Sequence, residues 1–227
     1  MMPRPLIIAI DGPSGAGKGT ISRTIADRLG YRYIDTGAMY RAVAWLARHE
    51  GLNLHDGGAV AELAERAEFD LGGRTLIDDY DVTAAIRTPA IDEASAIVAR
   101  QAEVRAVLVD RQRKFGRSGG LVMEGRDIGT VVFPDADVKI YLDASPEERA
   151  RRRAGDPAHA ARREPARVDD VAQALQARDY SDRTRSASPL LRAADAIYID
   201  TTGMPVEQVV REVLSVVDAA MARQLSS

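Results

Sequence analysis

Residues 12–20 read Gly12-Pro13-Ser14-Gly15-Ala16-Gly17-Lys18-Gly19-Thr20, directly after the apolar run Leu6–Ile10 and before a stretch with helical spacing. The small residues Gly15, Ala16 and Gly17 let the backbone turn tightly and aim successive N–H groups at a phosphate. Lys18 adds a point charge for β- and γ-phosphates, and the helix that follows turns the positive end of its dipole to the same anion. The chemistry this combination serves is the binding of a nucleoside triphosphate. The pattern G-x-x-x-x-G-K-S/T is met from Gly12 to Lys18, but Gly19 stands where a Ser or Thr hydroxyl ordinarily reaches Mg²⁺, and Thr20 follows one residue later. The plain alternative is a glycine-rich strand-to-helix turn that binds nothing, and the flanking strand and helix patterns weigh against it.

A second set of residues suits an acceptor. In Asp35-Thr36-Gly37-Ala38-Met39-Tyr40-Arg41 a glycine follows a strand end, with a hydroxyl beside it and an arginine just beyond. Arg126-Asp127 also follows a strand, where a structural ion pair is the lesser alternative. Arg178, Asp182 and Arg185 share one helical face at i, i+4 and i+7, which by itself fits a salt-bridged surface ladder. Glu124 has no assigned role. The three histidines (His49, His55, His159) are scattered, without zinc spacing, and read as surface or edge residues.

Elements that would position these groups follow from the apolar pattern. Strands are expected at Leu6–Ile10, Tyr33–Asp35, Gly120–Glu124, Val138–Asp143 and Ala196–Asp200, mostly as continuous apolar runs, as in a parallel sheet covered on both faces. Ile21, Ile25 and Leu29 keep one helical face, which Gly30 terminates, and Val206, Val209, Val210, Val213, Val216 and Val217 mark the last helix. Strands alternating with helices predict a doubly wound α/β core. Residues 67–87 break the alternation, with Gly72-Gly73 as a hairpin turn in a small antiparallel unit, and one helical stretch is expected from Pro89 to about Phe115. Residues 151–167, rich in Arg, Ala and Pro, suit a mobile flap or a solvated helix face equally on composition.

Composition narrows the class. The chain has 227 residues, 45% of them hydrophobic, enough for one domain of ordinary size or one with an insertion, and its net charge of −3 draws no nucleic acid. No apolar run approaches the ~20 residues of a membrane span. Met1–Pro5 carries one Arg before a short apolar run, so no secretory signal is expected. Zero cysteines exclude disulfides and thiolate metal sites and suit the cytoplasm. Lysine occurs only at 18, 114 and 139, so the basic groups are chiefly arginines, whose planar forks suit phosphate.

The chain resembles the bacterial cytidylate kinase family, of the P-loop nucleoside monophosphate kinase group. IDGPSGAGKGT at 10–20, DTGAMYR at 35–41, GRDIGTVVFPDADVKIYLDAS at 125–145 and RDYSDRTRSASPL at 178–190 carry the resemblance, in the family's order and over almost the whole chain. The GKGT form of the phosphate loop is the variant such small kinases carry. The resemblance implies an α/β P-loop NTPase-type three-layer fold: a five-stranded parallel sheet, an inserted NMP-binding unit with a small antiparallel sheet, and a short lid. The divisions expected are 1–60, 116–150 and 169–227 for the core, 61–115 for the insert and 151–168 for the lid.

For the site, the resemblance implies ATP at residues 12–20 (Gly12, Pro13, Ser14, Gly15, Ala16, Gly17, Lys18, Gly19, Thr20). Arg41, Arg126 and Arg185 would hold the CMP phosphate, Arg178 and Asp182 the ribose hydroxyls, and Arg105 and Asp127 the cytosine edge, with Thr36 beside them. A carboxylate can accept from the cytosine 4-amino group, which uracil lacks. Lys18, Arg126, Arg185 and the lid arginines Arg152 and Arg153 would act on the transferring group. Mg²⁺ would come with ATP, held by phosphates and water with Thr20 as a candidate contact, and a metal role for Asp143 is set aside for that reason. Thr36 keeps the hydroxyl of a Ser found in some relatives. Ala96 stands where the family often has a base-contacting Ser, and Ser95, ~100° away around the helix, is expected to serve less well, weakening selection of C over U.

These implications give reversible phosphoryl transfer from Mg·ATP to CMP or dCMP by a cytoplasmic monomer without nucleic-acid or membrane partners. Two alternatives stand beside it: a kinase of another nucleoside monophosphate, UMP or AMP, and a nucleotide-dependent binding module.

Overall fold

The computed structural model describes residues 4–156 and 168–226. Its first half runs β1 (Ile7–Asp11), α1 (Lys18–Leu29), β2 (Arg32–Asp35), α2 (Thr36–His49) and α3 (Gly57–Arg66), then the short strands β3 (Phe69–Asp70), β4 (Leu76–Ile77) and β5 (Tyr80–Asp81). Two helices follow, α4 (Pro89–Val98) and α5 (Ala102–Phe115), and then β6 (Leu121–Gly125) and β7 (Val138–Asp143). The last elements are α6 (Pro146–Ala154), α7 (Val168–Thr184), β8 (Ile197–Asp200) and α8 (Val206–Ser226).

Five strands form one parallel sheet in the order β2-β6-β1-β7-β8. The alternating side chains of β1 explain its central place. Ile8 and Ile10 face an apolar cluster with α1 and α8, whereas Ala9 faces a second cluster built from α2, α3, α4 and α5. Both faces of the sheet are therefore covered, and each fully buried Ile contributes about 1.5–3 kcal/mol by leaving water. The expected three-layer architecture is the observed one, and the expected strands recur with ends shifted by a residue.

Because β6 inserts between β1 and β2, connections leave the C-terminal strand ends in opposite directions around β1. A crevice opens at such a switch point. Asp11, Asp35 and Gly125 end the three strands there, so the loops that follow them meet.

Two expectations need correction. Pro89 to Phe115 is two helices rather than one, broken at residues 99–101, where the Gln101 side chain turns away to donate to the Leu54 carbonyl. The small sheet has three strands, β3-β4-β5, and its first connection spans residues 71–75 rather than a two-residue turn at Gly72-Gly73. Asp70 Oδ1 accepts from the Gly72 N–H at 2.9 Å and widens that turn. The tight turn lies instead at Asp78-Asp79, with Asp78 in the left-handed region at φ 49°. This unit has no core of its own: Ile77, Val82 and Ile86 share the apolar cluster of Met39, Val43 and Leu108. The division expected at 60/61 falls inside α3, and most of the expected lid, residues 157–167, lies outside the described residues.

Candidate active site

A cleft of about 680 Å³ lies over the C-terminal ends of β1, β2 and β6. Ten cationic side chains line it against six carboxylates, in a chain whose net charge is −3. That local excess of positive charge focuses anions there.

One end of the cleft is the phosphate loop. Gly12 has φ +146°, and a Cβ there would stand 1.9 Å from the Leu142 carbonyl oxygen, so only glycine passes the end of β7. Gly17 precedes α1 in the left-handed region and, having no side chain, caps none of the first-turn N–H groups. No acidic residue occupies that turn either, so the donors and the dipole are left for an anion. Lys18 is buried beneath the loop and donates to the Pro13 carbonyl at 2.8 Å. Burial, with Arg126 assisting, lowers its ammonium to about 7, against the pull of Glu124, Asp35 and Asp11. Residues 14–20 line the cleft, while Gly12 and Pro13 stand behind its wall.

Glu124 explains the departure at Gly19. A Cβ on residue 19 would stand 3.1 Å from Glu124 Oε1, so the carboxylate fills the space of the usual hydroxyl side chain. Tyr33 donates to that oxygen at 2.5 Å. Burial and the neighbouring Asp35 push Glu124 above the usual carboxylate range, opposed by Lys18 and the Tyr33 hydroxyl. A carboxylate ending a buried parallel strand beside the phosphate loop is the signal that could have marked it.

At the opposite end, arginines converge from five elements. Asp35 caps α2 by accepting from the Ala38 N–H at 3.0 Å, and its other oxygen holds Arg41 Nη2 at 3.1 Å. Burial opposes its ionisation, but Arg41 and Arg87 outweigh it and keep the Asp35 carboxyl below the usual range. Arg126 donates Nε–H to Asp182 at 2.8 Å, and Asp182 also pairs with Arg185 at 3.5 Å. Asp127 is bonded to Arg105 and lies 3.9 Å from Arg185 Nη2. Arg126 and Asp127 are thus each paired elsewhere and not with one another. The Arg178, Asp182 and Arg185 face is turned into the cleft and is no surface ladder.

Several donors here lack partners. Arg41 Nε, Arg105 Nε and Arg185 Nη2 are buried without a hydrogen bond. Buried donors without acceptors are costly, and an oxygen-rich anion satisfies them. Thr36 lines the cleft, but its hydroxyl proton goes to the Glu124 carbonyl at 2.7 Å and ties α2 to β6. Ser95 and Ala96 both line it too, and the Ser95 hydroxyl donates to the Asp92 carbonyl of its own helix at 2.9 Å.

The arginines of α6 bridge the walls. Arg152 binds Glu148 and Thr201, each at 2.8 Å, and stands over Gly17. Arg153 reaches Asp92 of α4 at 2.7 Å, and Arg178 reaches the same carboxylate at 3.2 Å. Three parts of the site were missed in the sequence. Arg87 lines the acceptor end, Tyr40 lies with its ring 5.3 Å beneath the Arg105 guanidinium, and Met204, Pro205, Val206 and Val209 form an apolar patch beyond the phosphate loop. Only the sheet's C-terminal edge brings these distant segments together.

Every expected site residue from Ser14 onward therefore lines one cleft. Among the described residues no helix is long and apolar enough to cross a membrane. The model of the cytidylate kinase family matches residues 8–219. A cytidylate kinase of Desulfitobacterium hafniense is 47% identical over 218 residues, covering 94% of this chain and 93% of that one. Another, of Pelotomaculum thermopropionicum, is 49% identical over 218 residues, covering 93% and 96%. Among solved structures, an uncharacterized protein from Eubacterium ventriosum superposes with a TM-score of 0.52 at 11% identity, over 94% of this chain and 98% of that one, a likeness of fold alone.

Proposed function

The chain belongs to the cytidylate kinase family, and from that premise we propose that it transfers the γ-phosphoryl group of ATP reversibly to CMP or dCMP, giving ADP and CDP or dCDP. The observation that carries this reading is one cleft holding two anion cradles, an uncapped phosphate loop and a cluster of arginines around the Asp127 carboxylate. A switch or binding module would have use for the first cradle and none for the second.

In this reading the N–H groups of residues 14–20 and Lys18 hold the triphosphate, with its base against the apolar patch at Met204 and Val206. Arg41, Arg126 and Arg185 take the acceptor phosphate, and the buried N–H groups of Arg41 Nε and Arg185 Nη2, which have no hydrogen bond, support this. Arg178 and Asp182 meet the ribose, and Asp182 is kept ionised by Arg126, Arg178 and Arg185 against its burial. Arg105, bonded to Asp127, holds that carboxylate in place for the cytosine 4-amino group. The acceptor oxygen is already anionic, so alignment and charge neutralisation do the catalytic work and no strong base is required. Arg152 and Arg153, with residues 151–168 as lid, neutralise the transferring group and exclude water. Residues 61–115 are read as the acceptor-binding insert.

Mg²⁺ would enter with ATP and neutralise charge on the β- and γ-phosphates. The donors at the cradle's edge fit it: the Thr20 hydroxyl and the Glu124 carboxylate are hard oxygen groups, suited to an ion that keeps phosphate and water ligands. Absence of cysteine and scattered exposed apolar residues support a cytoplasmic monomer, which light scattering of the purified chain would check.

Rates with CMP, dCMP, UMP, AMP and TMP at fixed ATP test the assignment. The expected order puts CMP or dCMP first by kcat/KM, and UMP or AMP in first place would refute it. ADP should form only with an acceptor present.

A further inference from the structure

Asp11 is the last residue of β1 and stands immediately before the phosphate loop, yet it does not line the cleft. It is only 5% exposed. Both of its carboxylate oxygens are used: Oδ1 accepts from the Ile128 N–H at 2.8 Å and Oδ2 from the Gly129 N–H at 2.7 Å.

The sheet register produces this arrangement. Asp11 lies opposite Gly125 in the β1–β6 pair, so the chain leaving β6 passes directly over the end of β1. The next two residues are Arg126 and Asp127. The chain then coils through a turn, Ile128–Val132, that begins where Asp127 adopts φ −147° and ψ 23°. The Asp127 carbonyl accepts from the Val131 and Val132 N–H groups, so this residue is anchored to the turn whose first two amides Asp11 holds. Contact is close: a Cβ on Gly129 would stand 3.4 Å from Asp11 Oδ2 and 3.2 Å from Lys139 Cδ.

A carboxylate in this place is an expensive choice. Burial, with Asp127 nearby, raises its pKa to about 6, against the two backbone N–H groups and Lys18. What the charge provides is two acceptor oxygens for two adjacent amides. An asparagine has one, and its NH₂ would face an N–H.

We infer that Asp11 is a positioning residue for the acceptor, clamping the Ile128–Gly129 backbone to the end of the phosphate-loop strand and so fixing Arg126 and Asp127 at a set distance from Lys18. This inference rests on the reading of Arg126 and Asp127 as acceptor-binding groups. Donor and acceptor cradles belong to different loops, and in-line transfer needs both in one frame. A displacement of about 1 Å in such a frame can cost roughly 100-fold in rate.

The test compares Asp11→Asn, Gly129→Ala and Asp127→Ala with the wild type, using CMP and UMP as acceptors at saturating ATP, and then varying ATP. For Asp11→Asn the expected result is a rise of about tenfold or more in KM for CMP and a fall of at least about threefold in the CMP-over-UMP ratio of kcat/KM, with KM for ATP within about twofold. Gly129→Ala adds a methyl group between the tightly packed Lys139 stem, 3.2 Å away, and Asp11 Oδ2, in contact at 3.4 Å, and so loads the same joint. It should shift the ratio in the same direction, and it decides the question if circular dichroism shows that Asp11→Asn does not fold. If Asp127→Ala lowers the ratio but the two joint variants leave it unchanged, or raise KM for ATP as much as for CMP, Asp11 is merely structural and the inference falls alone. If Asp127→Ala itself leaves the ratio unchanged, the acceptor reading of Asp127 falls and takes the inference with it.

Discussion

Lys18 offers a direct physical test of the donor cradle. Its ammonium, buried and donating to the Pro13 carbonyl, titrates at about 7 instead of 10.5, with burial the largest cause and Arg126 next. A triphosphate delivered to the loop supplies the negative charge that favours the protonated form. At pH 8 roughly nine in ten free molecules carry neutral Lys18, so binding must take up about 0.9 proton, and apparent affinity should be about tenfold weaker than at pH 6. At pH 7 the uptake should be about half a proton and the weakening about twofold. Titration calorimetry with a non-hydrolysable ATP analogue, in two buffers of different ionisation enthalpy, reads the proton count directly. Lys18→Arg keeps a charge that never titrates, and its uptake at pH 8 should be close to zero. Wild-type uptake below about 0.2 proton at pH 8, or equal uptake in Lys18→Arg, would refute the reasoning. Folding stability carries the opposite sign. The folded chain binds fewer protons than the unfolded one between pH 7 and 10.5, so the cost of burying Lys18 fades as pH rises through that window.

Gly12→Ala should lose about 3–5 kcal/mol in urea unfolding, because it combines a positive φ with a clash against the Leu142 carbonyl; a wild-type midpoint would exclude that steric account. Asp179→Ala strands Arg149, whose partner lies 2.5 Å away with both side chains under 10% exposed, and should cost about 3–5 kcal/mol. An unmoved melting temperature would show that the Arg149 contacts to the Ser14 and Ala144 carbonyls suffice without the carboxylate. Arg126→Lys removes both the Nε–H bond to Asp182 and the two-pronged grip on a phosphate, and kcat/KM for CMP should drop roughly 30- to 150-fold. A drop below about threefold would remove Arg126 from phosphate binding.

Much of the architecture was legible because the sheet is parallel and buried on both faces. Such strands announce themselves as apolar runs, and each of the five was found with its ends shifted by no more than a residue. The small sheet was visible only as a break in the alternation. Its strands are two residues long, too short for a periodicity, and the turn that matters uses Asp78 rather than the pair of glycines. The break between α4 and α5 carries neither Gly nor Pro and is held by a distant contact from Gln101 to Leu54. Local propensity has nothing to register there.

For the site the division is similar. The phosphate loop is a local device, its glycines, lysine and helix start all lying within nine residues, so the amino-acid order alone determined the donor cradle and the class of anion it takes. Arg178, Asp182 and Arg185 were ambiguous until their surroundings were known, since a helical face of mixed charges serves solvent as well as ligand. Tertiary structure decided that this face meets Arg126 across the cleft, that Glu124 fills the room left by Gly19, and that Asp11 reaches beneath the Ile128–Gly129 backbone. Each depends on β6 settling between β1 and β2, a long-range pairing driven by burial of both sheet faces, and no spacing within a single segment encodes it.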